Sequence, residues 1–314
     1  MVDKLLIRAY NVGVGDCIYV RIPKARKKGN KVDDFHILID CGKKGSAAPL
    51  KVALDHLKAE LPSENGEKRL DLLLISHEHE DHIKGIDPEW FDDIRLENLW
   101  MSVAMNRNHP QAKFARRLHD MAATAMRSIA ARGLALSPEL ADIVGRYAIS
   151  NDAAVDALTR VLPQKNGITP LHVHADLKPT ALKPKSLTGA TFKVLGPEFD
   201  IDTYYLGDAG AEILHGFAAS TGVFAAAPRA PANGPVPANI SLSDFRRLQS
   251  RLLSAAFAFA EEESEVVNNT SVMLLIEWRG RRLLFVGDAE WNKAYREKKK
   301  NFAWNTPGSC GRTS

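Results

Sequence analysis

Hydrophobic residues recur along the chain in short runs with two different periods, which predict strands and helices. Runs rich in branched and aromatic residues predict strands, and apolar residues three and four positions apart predict helices. One helix is predicted over residues 50–61. The predicted strands are residues 4–10, 17–22, 35–40, 72–75, 97–103, 171–174, 191–195, 271–278 and 281–286. The last two strands form a hairpin, because Arg279 and Gly280 provide a turn between them.

The segment over residues 105–190 interrupts this pattern with helical sequence. Residues 109–163 are rich in Ala, Arg, Leu and Met, which predicts two or three helices. Pro110 and Pro138 are predicted helix starts, since proline is tolerated in a first helical turn. Gly167 is a predicted helix end. We interpret this segment as a helical insertion between two halves of the fold.

A second insertion is predicted over residues 198–264. Its residues 225–238 are rich in Ala and Pro and are too poor in branched side chains to pack, so they predict a mobile loop. An amphipathic helix follows, running to about Glu263. We therefore predict a single domain over residues 1–314 that carries two insertions.

The residues that follow the apolar run 72–75 are crowded with metal-binding side chains. His77 and His79 are two positions apart at a strand end, so their imidazoles point to one side and can bind one ion. Asp81 and His82 come next and can face a second ion. Neutral imidazoles with a carboxylate suit Zn²⁺ best, with Mn²⁺ or Fe²⁺ as alternatives. A polar loop with clustered histidines is the alternative reading, although three of the ten histidines fall within these six positions.

A second His-x-His pair, His172 and His174, lies in an alternating strand pattern. The pair could chelate a metal, but the sequence provides no acid or further histidine at ligand spacing. We predict instead that both side chains face solvent from an edge strand. Two basic clusters, residues 24–28 and 296–300, are interpreted as solvated loop or helix faces that a phosphate-rich substrate could also use.

Composition narrows the function classes. The net charge of +4 gives no strong electrostatic footprint for nucleic acid. Cys17, Cys41 and Cys310 cannot form a disulfide framework, which favours a reducing compartment. The N-terminus does not resemble a signal peptide, and no apolar run has the length needed to cross a bilayer. The sequence therefore predicts a soluble cytoplasmic protein without a membrane partner.

The pattern His-x-His-x-Asp-His after a hydrophobic strand resembles the metallo-β-lactamase superfamily of binuclear hydrolases. Three further stretches are similar to the branch typified by the extracellular domain of the DNA-uptake protein ComEC. This resemblance implies an α/β fold, a four-layer αββα sandwich with helical insertions. The three stretches are residues 11–17 with 37–42, residues 268–272, and residues 283–288.

The resemblance also implies a ligand set and a reaction. His77 and His79 would hold one ion, Asp81 and His82 the second, and Asp288 would bridge them. One or two Zn²⁺ ions, or Mn²⁺, would supply hydroxide at neutral pH, and Asp81 would aim the attacking water. The implied activity is a phosphodiesterase or nuclease acting on a small-molecule or nucleic-acid phosphodiester. Without the resemblance, Asp288 is a turn aspartate after a strand.

Two further pairs of residues have two open interpretations each. Asp16 and Asp40, at strand ends, either orient histidine ligands from the second coordination shell or simply form turns. Asn268 and Asn269 occupy the place where many superfamily members carry another histidine ligand. An amide is a poor ligand for Zn²⁺, so these two residues either cap a turn or contact substrate.

The chain departs from this branch in its last residues, where a Gly-His-His-Gly-Ser-like segment is expected. No histidine follows His215. The sequence predicts an incomplete C-terminal part, or a ligand supplied by His215 or by another subunit. The alternative function is a catalytically impaired metallo-β-lactamase-fold interaction module, whose helical insertions offer a surface to a protein partner.

Overall fold

The protein is a mixed α/β structure whose described residues form three β-sheets and several helices. The computed structural model describes residues 4–131, 137–148, 151–206, 260–291 and 301–305, with the single residues Ser241, Ser243, Phe257 and Ala258. His215, Cys310, the predicted loop over residues 225–238 and the basic cluster over residues 296–300 lie outside this range. Among the described residues, no helix has both the length and the apolar character needed to span a bilayer.

The described residues form twelve strands and six α-helices with the following bounds. The strands are β1 (Leu6–Ala9), β2 (Ile18–Lys28), β3 (Lys31–Ile39), β4 (Ser63–Glu64), β5 (Glu67–Leu70), β6 (Leu72–Ile75), β7 (Ile94–Leu96), β8 (Leu99–Ser102), β9 (Leu171–Val173), β10 (Ala190–Gly196), β11 (Met273–Trp278) and β12 (Arg281–Phe285). The helices are α1 (Ala48–Glu60), α2 (Glu80–Ile83), α3 (Lys113–Ala130), α4 (Pro138–Ala148), α5 (Asp152–Asp156) and α6 (Leu162–Asn166). A π-helical turn, Ala157–Val161, joins α5 to α6, and residues 260–269 are also helical.

The largest sheet has six strands in the order β1-β2-β3-β6-β8-β9. Its first three strands are antiparallel, whereas β3, β6, β8 and β9 run parallel to one another. Parallel neighbours end at the same edge of a sheet, so the residues that follow β3 and β6 meet there. The strands β10-β11-β12 form a second, antiparallel sheet, and β4-β5-β7 form a small third one.

The two faces of the large sheet are buried against different partners. One face packs in a single apolar cluster with α1, α5 and α6, through residues such as Leu54, Val155 and Leu162. The other face packs against the β10–β12 sheet, where Phe35 meets Phe192 edge to face at 6.1 Å between ring centroids. Helices and two facing sheets thus account for three layers. A fourth layer, which would complete the predicted sandwich, stays a prediction.

The helix boundaries in the first insertion can be compared with the helix starts and ends predicted from the sequence. α4 begins at Pro138, and Gly167 ends α6 in the left-handed conformation, so both predictions are confirmed. The prediction for Pro110 is wrong, because α3 begins at Lys113. Asp202 caps this later start, since its carboxylate accepts hydrogen bonds from the backbone N–H of Phe114 at 3.1 Å and of Ala115 at 3.0 Å.

The basic cluster over residues 24–28 belongs to a strand, so its interpretation as a loop is wrong, and although its three lysines are exposed, Arg26 is not solvated. β2 continues through it to Lys28, and the side chain of Arg26 is 1% exposed. The physical reason is a carboxylate partner far along the chain. Arg26 Nε lies 2.8 Å from Asp71 Oδ1, and its Nη2 donates to Glu97 Oε1 at 2.7 Å. Ion pairing is what allows a guanidinium to be buried here.

Asp71 is the centre of this buried ionic network. Its Oδ1 also lies 3.1 Å from Arg69 Nε, and its Oδ2 accepts a hydrogen bond from the backbone N–H of His36 at 2.8 Å. Arg69 reaches Glu64 as well and is as deeply buried as Arg26. Two guanidinium groups therefore share one fully buried carboxylate.

His36 lies beside this network and makes folding stability sensitive to acid. Burial, followed by the positive charge of Arg69, lowers the pKa of His36 to about 3. Below its ordinary pKa of about 6.5 the unfolded chain binds a proton that the folded protein does not, so stability falls as the pH drops towards 3, by up to about 1.4 kcal/mol per pH unit.

We expect His36→Gln to flatten this dependence, since glutamine does not titrate. Urea unfolding at about pH 7 and about pH 5 measures how the free energy of unfolding changes with pH in each protein. The substitution itself changes the free energy of unfolding at neutral pH. The comparison is therefore between the loss of unfolding free energy from about pH 7 to about pH 5 in the variant and the same loss in the unaltered protein. Equal changes in both proteins would contradict this origin of the acid sensitivity.

The predicted solvent-facing position of His172 and His174 is wrong. β9 is the edge strand of the large sheet, but both histidines are partly buried, and His172 Nε2 and His174 Nδ1 are buried without a hydrogen-bond partner. The ring of His174 packs on Phe199 at 4.7 Å between centroids, which explains its burial. Among the described residues, neither histidine belongs to a group with metal-binding spacing.

Candidate metal centre

The predicted ligand loop begins where β6 ends, at the edge where the six-stranded sheet meets the β10–β12 sheet. All four residues of β6 are buried, which fixes the backbone from which the loop leaves. The backbone N–H of Asp40, directly after β3, donates to Leu74 O at 2.9 Å. The N–H of Val272 donates to Ser76 O at 3.0 Å, which ties the entry to β11 to the loop. Segments distant in sequence are therefore held together by backbone hydrogen bonds.

His77, His79 and Asp288 come together in one group. His77 Nε2 lies 3.1 Å from His79 Nδ1 and 3.9 Å from Asp288 Oδ2. One ligand atom from each residue falls within 4.8 Å of the others. A single ion at about 2.0–2.2 Å from each ligand requires this kind of spacing. The group joins residues more than two hundred positions apart.

His82 lies between two carboxylates. Its Nδ1 is 2.8 Å from Asp40 Oδ2, and its Nε2 is 3.3 Å from Asp288 Oδ1. Asp40 is itself fixed, because the backbone N–H and the hydroxyl of Ser76 donate to its two oxygens at 2.7 and 2.5 Å. Of the two interpretations of Asp40, this geometry fits the one in which it orients a histidine. The other ring nitrogen of His82 then faces Asp288.

Asp81 lies outside the groups of ligand atoms, whereas Asp16 belongs to one of them. The Asp81 carboxylate belongs to neither group of ligand atoms among the described residues, although the side chain lines the same cleft as His79. Its backbone oxygen accepts a hydrogen bond from Asp16 N at 3.0 Å. Asp16 joins Asp40 and His82 in a second group with ligand atoms within 4.8 Å. The assignment of Asp81 as a ligand stays a prediction.

Two serines that the sequence did not single out orient His77. Its Nδ1 lies 3.0 Å from Ser76 Oγ and 3.2 Å from Ser271 Oγ, so its Nε2 is the nitrogen that faces His79. Ser271 Oγ also accepts the backbone N–H of Asp288 at 3.2 Å. A signal was present in the sequence, since each serine adjoins a motif, but the partners could not be read from it.

Gly287 brings Asp288 close to these serines. Its backbone has φ of +54°, and an added Cβ would lie 2.9 Å from the Cβ of Ser76 and 3.0 Å from that of Ser271. Only glycine combines this conformation with such a close approach. Gly42 has a similar role on the other side of the site, because a Cβ there would lie 2.2 Å from the backbone of Asp81.

Asn268 and Asn269 hold the segment that follows Asp288. The side chain of Asn269 accepts the backbone N–H groups of Glu290 at 3.2 Å and Ala303 at 2.9 Å. Asn268 Nδ2 donates to Glu290 Oε1 at 2.9 Å. Of the two interpretations of these amides, the contacts fit a structural role. They position the loop that carries Asp288.

The protonation states of the first group suit a metal ion. Burial lowers the pKa of His77 well below its ordinary value, and the charges of His82 and His79 add to this effect. Burial also lowers the pKa of His79. Both imidazoles are therefore neutral at physiological pH, which is the form that coordinates a metal. The hydrogen bond from His82 holds the pKa of Asp288 below its usual range, so this carboxylate is ionised.

The ring of His82 is charged in this arrangement. Burial lowers its pKa, but hydrogen bonds to Asp288 and Asp40 outweigh that effect and raise the pKa to about 11. Its Nε2 faces Asp288 Oδ1 at 3.3 Å. The residues present thus fit one divalent ion on His77, His79 and Asp288, with His82 as a further ligand that must first release its proton.

We expect Asp40→Asn to weaken metal binding without removing a ligand. The amide cannot hold His82 in the charged hydrogen-bonding geometry, and loss of such a partner typically costs about 10–100-fold in affinity. Competition titration with a zinc chelator measures the change. Asp87→Asn is the matched control, since the Asp87 carboxylate accepts the N–H of Glu89 in a turn at 2.9 Å and belongs to neither group of ligand atoms among the described residues. Equal affinities in the two variants would show that Asp40 does not support the centre.

Two adjoining cavities open beside the centre. The smaller one, about 270 Å³, includes His77, and the larger one, about 710 Å³, includes His79, Asp81 and Asp288. Both are walled by α3, in the first predicted insertion, and by the helical residues 260–269, which include the end of the second predicted insertion. Among the described residues, the five that line both cavities are Glu78, Arg107, His119, Asp120 and Glu263.

Comparisons with known proteins give a distant structural likeness. No protein-family model and no curated protein matches the chain. Among solved structures, the chain is similar to the crystal structure of a beta-lactamase domain protein from Burkholderia ambifaria, with 14% identity and a TM-score of 0.30. The match covers 61% of this chain and 44% of that protein, so this chain spans less than half of its length.

Proposed function

We propose that the protein is a metal-dependent hydrolase of metallo-β-lactamase type that acts on a phosphodiester. The observation that carries the proposal is the convergence of His77, His79 and Asp288, with His82 against the same carboxylate. The resemblance of residues 77–82 to the superfamily pattern points in the same direction. Membership of the ComEC-like branch is part of the proposal and has only the sequence motifs as support.

The ion or ions would be held by His77, His79, Asp288 and His82. When bound, they lower the pKa of a coordinated water and polarise the scissile phosphoryl oxygen. The remaining work falls to the chain itself. Asp40 keeps His82 oriented, and Asp81 at the cleft wall accepts a proton from the attacking water. Zn²⁺ is the ion that this ligand chemistry favours, with Mn²⁺ as the alternative.

The charge of the larger cavity favours one of the two substrate types. Among the described residues that line it, ten are carboxylates and three are Lys or Arg, namely Lys44, Arg107 and Arg127. An acidic lining repels a polyanion, and nucleic-acid sites carry the opposite charge. We therefore favour a small diester with one phosphate over a nucleic-acid strand.

The test is turnover by the intact protein supplied with Zn²⁺ or Mn²⁺. We expect the protein to hydrolyse bis-(p-nitrophenyl) phosphate and a chelator to abolish this activity. We expect no comparable hydrolysis of single-stranded DNA. Hydrolysis of DNA at a comparable rate would contradict the substrate class. Absence of turnover with either ion would contradict the enzyme proposal.

A second candidate function is an interaction module that holds metal poorly. The observation that favours it is the position of the Asp81 carboxylate outside both groups of ligand atoms. Metal content after purification from zinc-supplemented medium separates the two candidates. The hydrolase requires at least one tightly held ion per chain, and the interaction module requires none.

A further inference from the structure

A histidine–carboxylate pair lies on the wall between the two cavities, outside the candidate metal ligands. His119 on α3 is bonded to Glu263 of the helical residues 260–269, with 2.7 Å between Nδ1 and Oε1. The pair joins the two predicted insertions across 144 positions of sequence. Both residues line the cavity that includes His77 and the cavity that includes His79.

The two side chains of the pair differ in solvent exposure, since Glu263 is buried and His119 is accessible. The Glu263 side chain is 6% exposed, whereas that of His119 is 44% exposed. Glu263 is the hydrogen-bond partner of the His119 ring among the described residues, and it engages Nδ1. The other ring nitrogen, Nε2, is therefore left for a ligand in the cavities.

The surroundings keep His119 charged. The hydrogen bond to Glu263 raises its pKa to about 9, against the opposing effect of burial. Charges of Glu78, from the ligand loop, and of Asp120, from α3 itself, raise it further. Arg107 is the basic group that lines both cavities with them. A protonated imidazole beside a hydrolytic centre can donate its proton.

We propose that His119 is the general acid of the proposed hydrolase and that Glu263 is the residue that positions it. The inference rests on the proposed function. It assigns a catalytic role to the helical insertions, which bring the two residues together, and it extends the site to groups that the ligand motif does not contain.

In the proposed hydrolysis step, Asp81 and His119 account for both proton transfers. The water oxygen forms a bond to phosphorus while one of its protons passes to Asp81. The bond from phosphorus to the leaving oxygen breaks, and that oxygen takes the Nε2 proton of His119. The products are a phosphate monoester and an alcohol or phenol. Asp81 then releases its proton to solvent, and His119 takes one up.

The test compares two substrates that differ in their need for a proton. The p-nitrophenolate of bis-(p-nitrophenyl) phosphate leaves without protonation, whereas the phenolate of diphenyl phosphate is a poorer leaving group. We expect His119→Gln to lower kcat/KM for diphenyl phosphate by about 10²–10⁴-fold and for the nitrophenyl ester by less than about tenfold. Glu263→Gln should show the same selectivity with smaller losses. Asp156→Asn, at an exposed residue that pairs with Arg160 and lines neither cavity, should change both rates by less than about threefold.

A second readout does not depend on turnover. In isotope-labelled protein, NMR titration should give His119 a pKa well above the ordinary histidine value, and Glu263→Gln should lower it. An ordinary pKa in the unaltered protein would overturn the pairing. Equal losses for both esters in His119→Gln, with the unaltered protein active, would overturn the general-acid role alone. An unaltered protein that hydrolyses neither ester would overturn the proposed function and this step with it.

Discussion

His79→Ala should lower the affinity for Zn²⁺ by more than about 100-fold, because it removes a coordinating imidazole rather than an orienting partner. His79 contributes Nδ1, which lies 3.1 Å from His77 Nε2, and the group would keep only one imidazole and one carboxylate. Even with His82 as a further ligand, the ion would have one ligand fewer than the four of a tetrahedral site. Hydrolysis of bis-(p-nitrophenyl) phosphate should fall by about 100-fold or more, since the ion supplies several kcal/mol of transition-state stabilisation.

The measurement pairs chelator competition with kcat/KM at saturating metal. His56→Ala is the matched control, because His56 is exposed on α1 and contacts only Arg8 and Tyr10 among the described residues. Thermal unfolding of both variants shows whether the fold is kept. Unchanged zinc affinity in a folded His79→Ala protein would remove His79 from the ligand set.

Asp71→Asn should lower the free energy of unfolding by about 3–5 kcal/mol, the usual cost of removing one partner from a buried ion pair. Asp71 Oδ1 lies 2.8 Å from Arg26 Nε and 3.1 Å from Arg69 Nε, and all three side chains are at most 1% exposed. An amide would leave two buried guanidinium groups with one counter-charge fewer. Such a loss is a large part of the stability of an ordinary domain.

Urea unfolding at neutral pH measures this loss. Asp156→Asn is the control, because Asp156 pairs with Arg160 at 2.6 Å on an exposed helix face, where ion pairs contribute little. We expect the control to leave the unfolding midpoint nearly unchanged. If the two variants lost equal stability, the buried network would have no special role in the fold.

The sequence could predict the part of the site that lies within one strand and its loop. The apolar run 72–75 predicts the buried strand β6, and the spacing of His77 and His79 places both imidazoles on one side. A second local pattern, a strand followed by Gly287 and Asp288, predicts that Asp288 lies at a strand end. Both depend on backbone rules that operate over a few residues. The structure brings these two patterns together at one edge of the sheets.

The parts that sequence could not predict depend on partners far along the chain. Arg26 is buried because Asp71 and Glu97 approach it, although it lies in a basic stretch with Lys24, Lys27 and Lys28. The pairing of His119 with Glu263 joins two insertions whose packing no periodicity encodes. Such contacts depend on tertiary structure, which overrides local preference.

The position of Asp81 depends on tertiary structure in the same way. Its neighbour His82 is held by Asp40 from a parallel strand, whereas the Asp81 carboxylate stays outside the groups of ligand atoms. Spacing along the loop could place both residues near a second ion. It could not determine which oxygen or nitrogen would face that ion.

An anomalous difference map from crystals grown with zinc, measured at the zinc edge, tests the central claim most directly. The account predicts a peak at about 2.0–2.2 Å from His77 Nε2, His79 Nδ1 and an Asp288 oxygen. A map without a peak among these three residues, or with zinc bound only elsewhere on the chain, would contradict it.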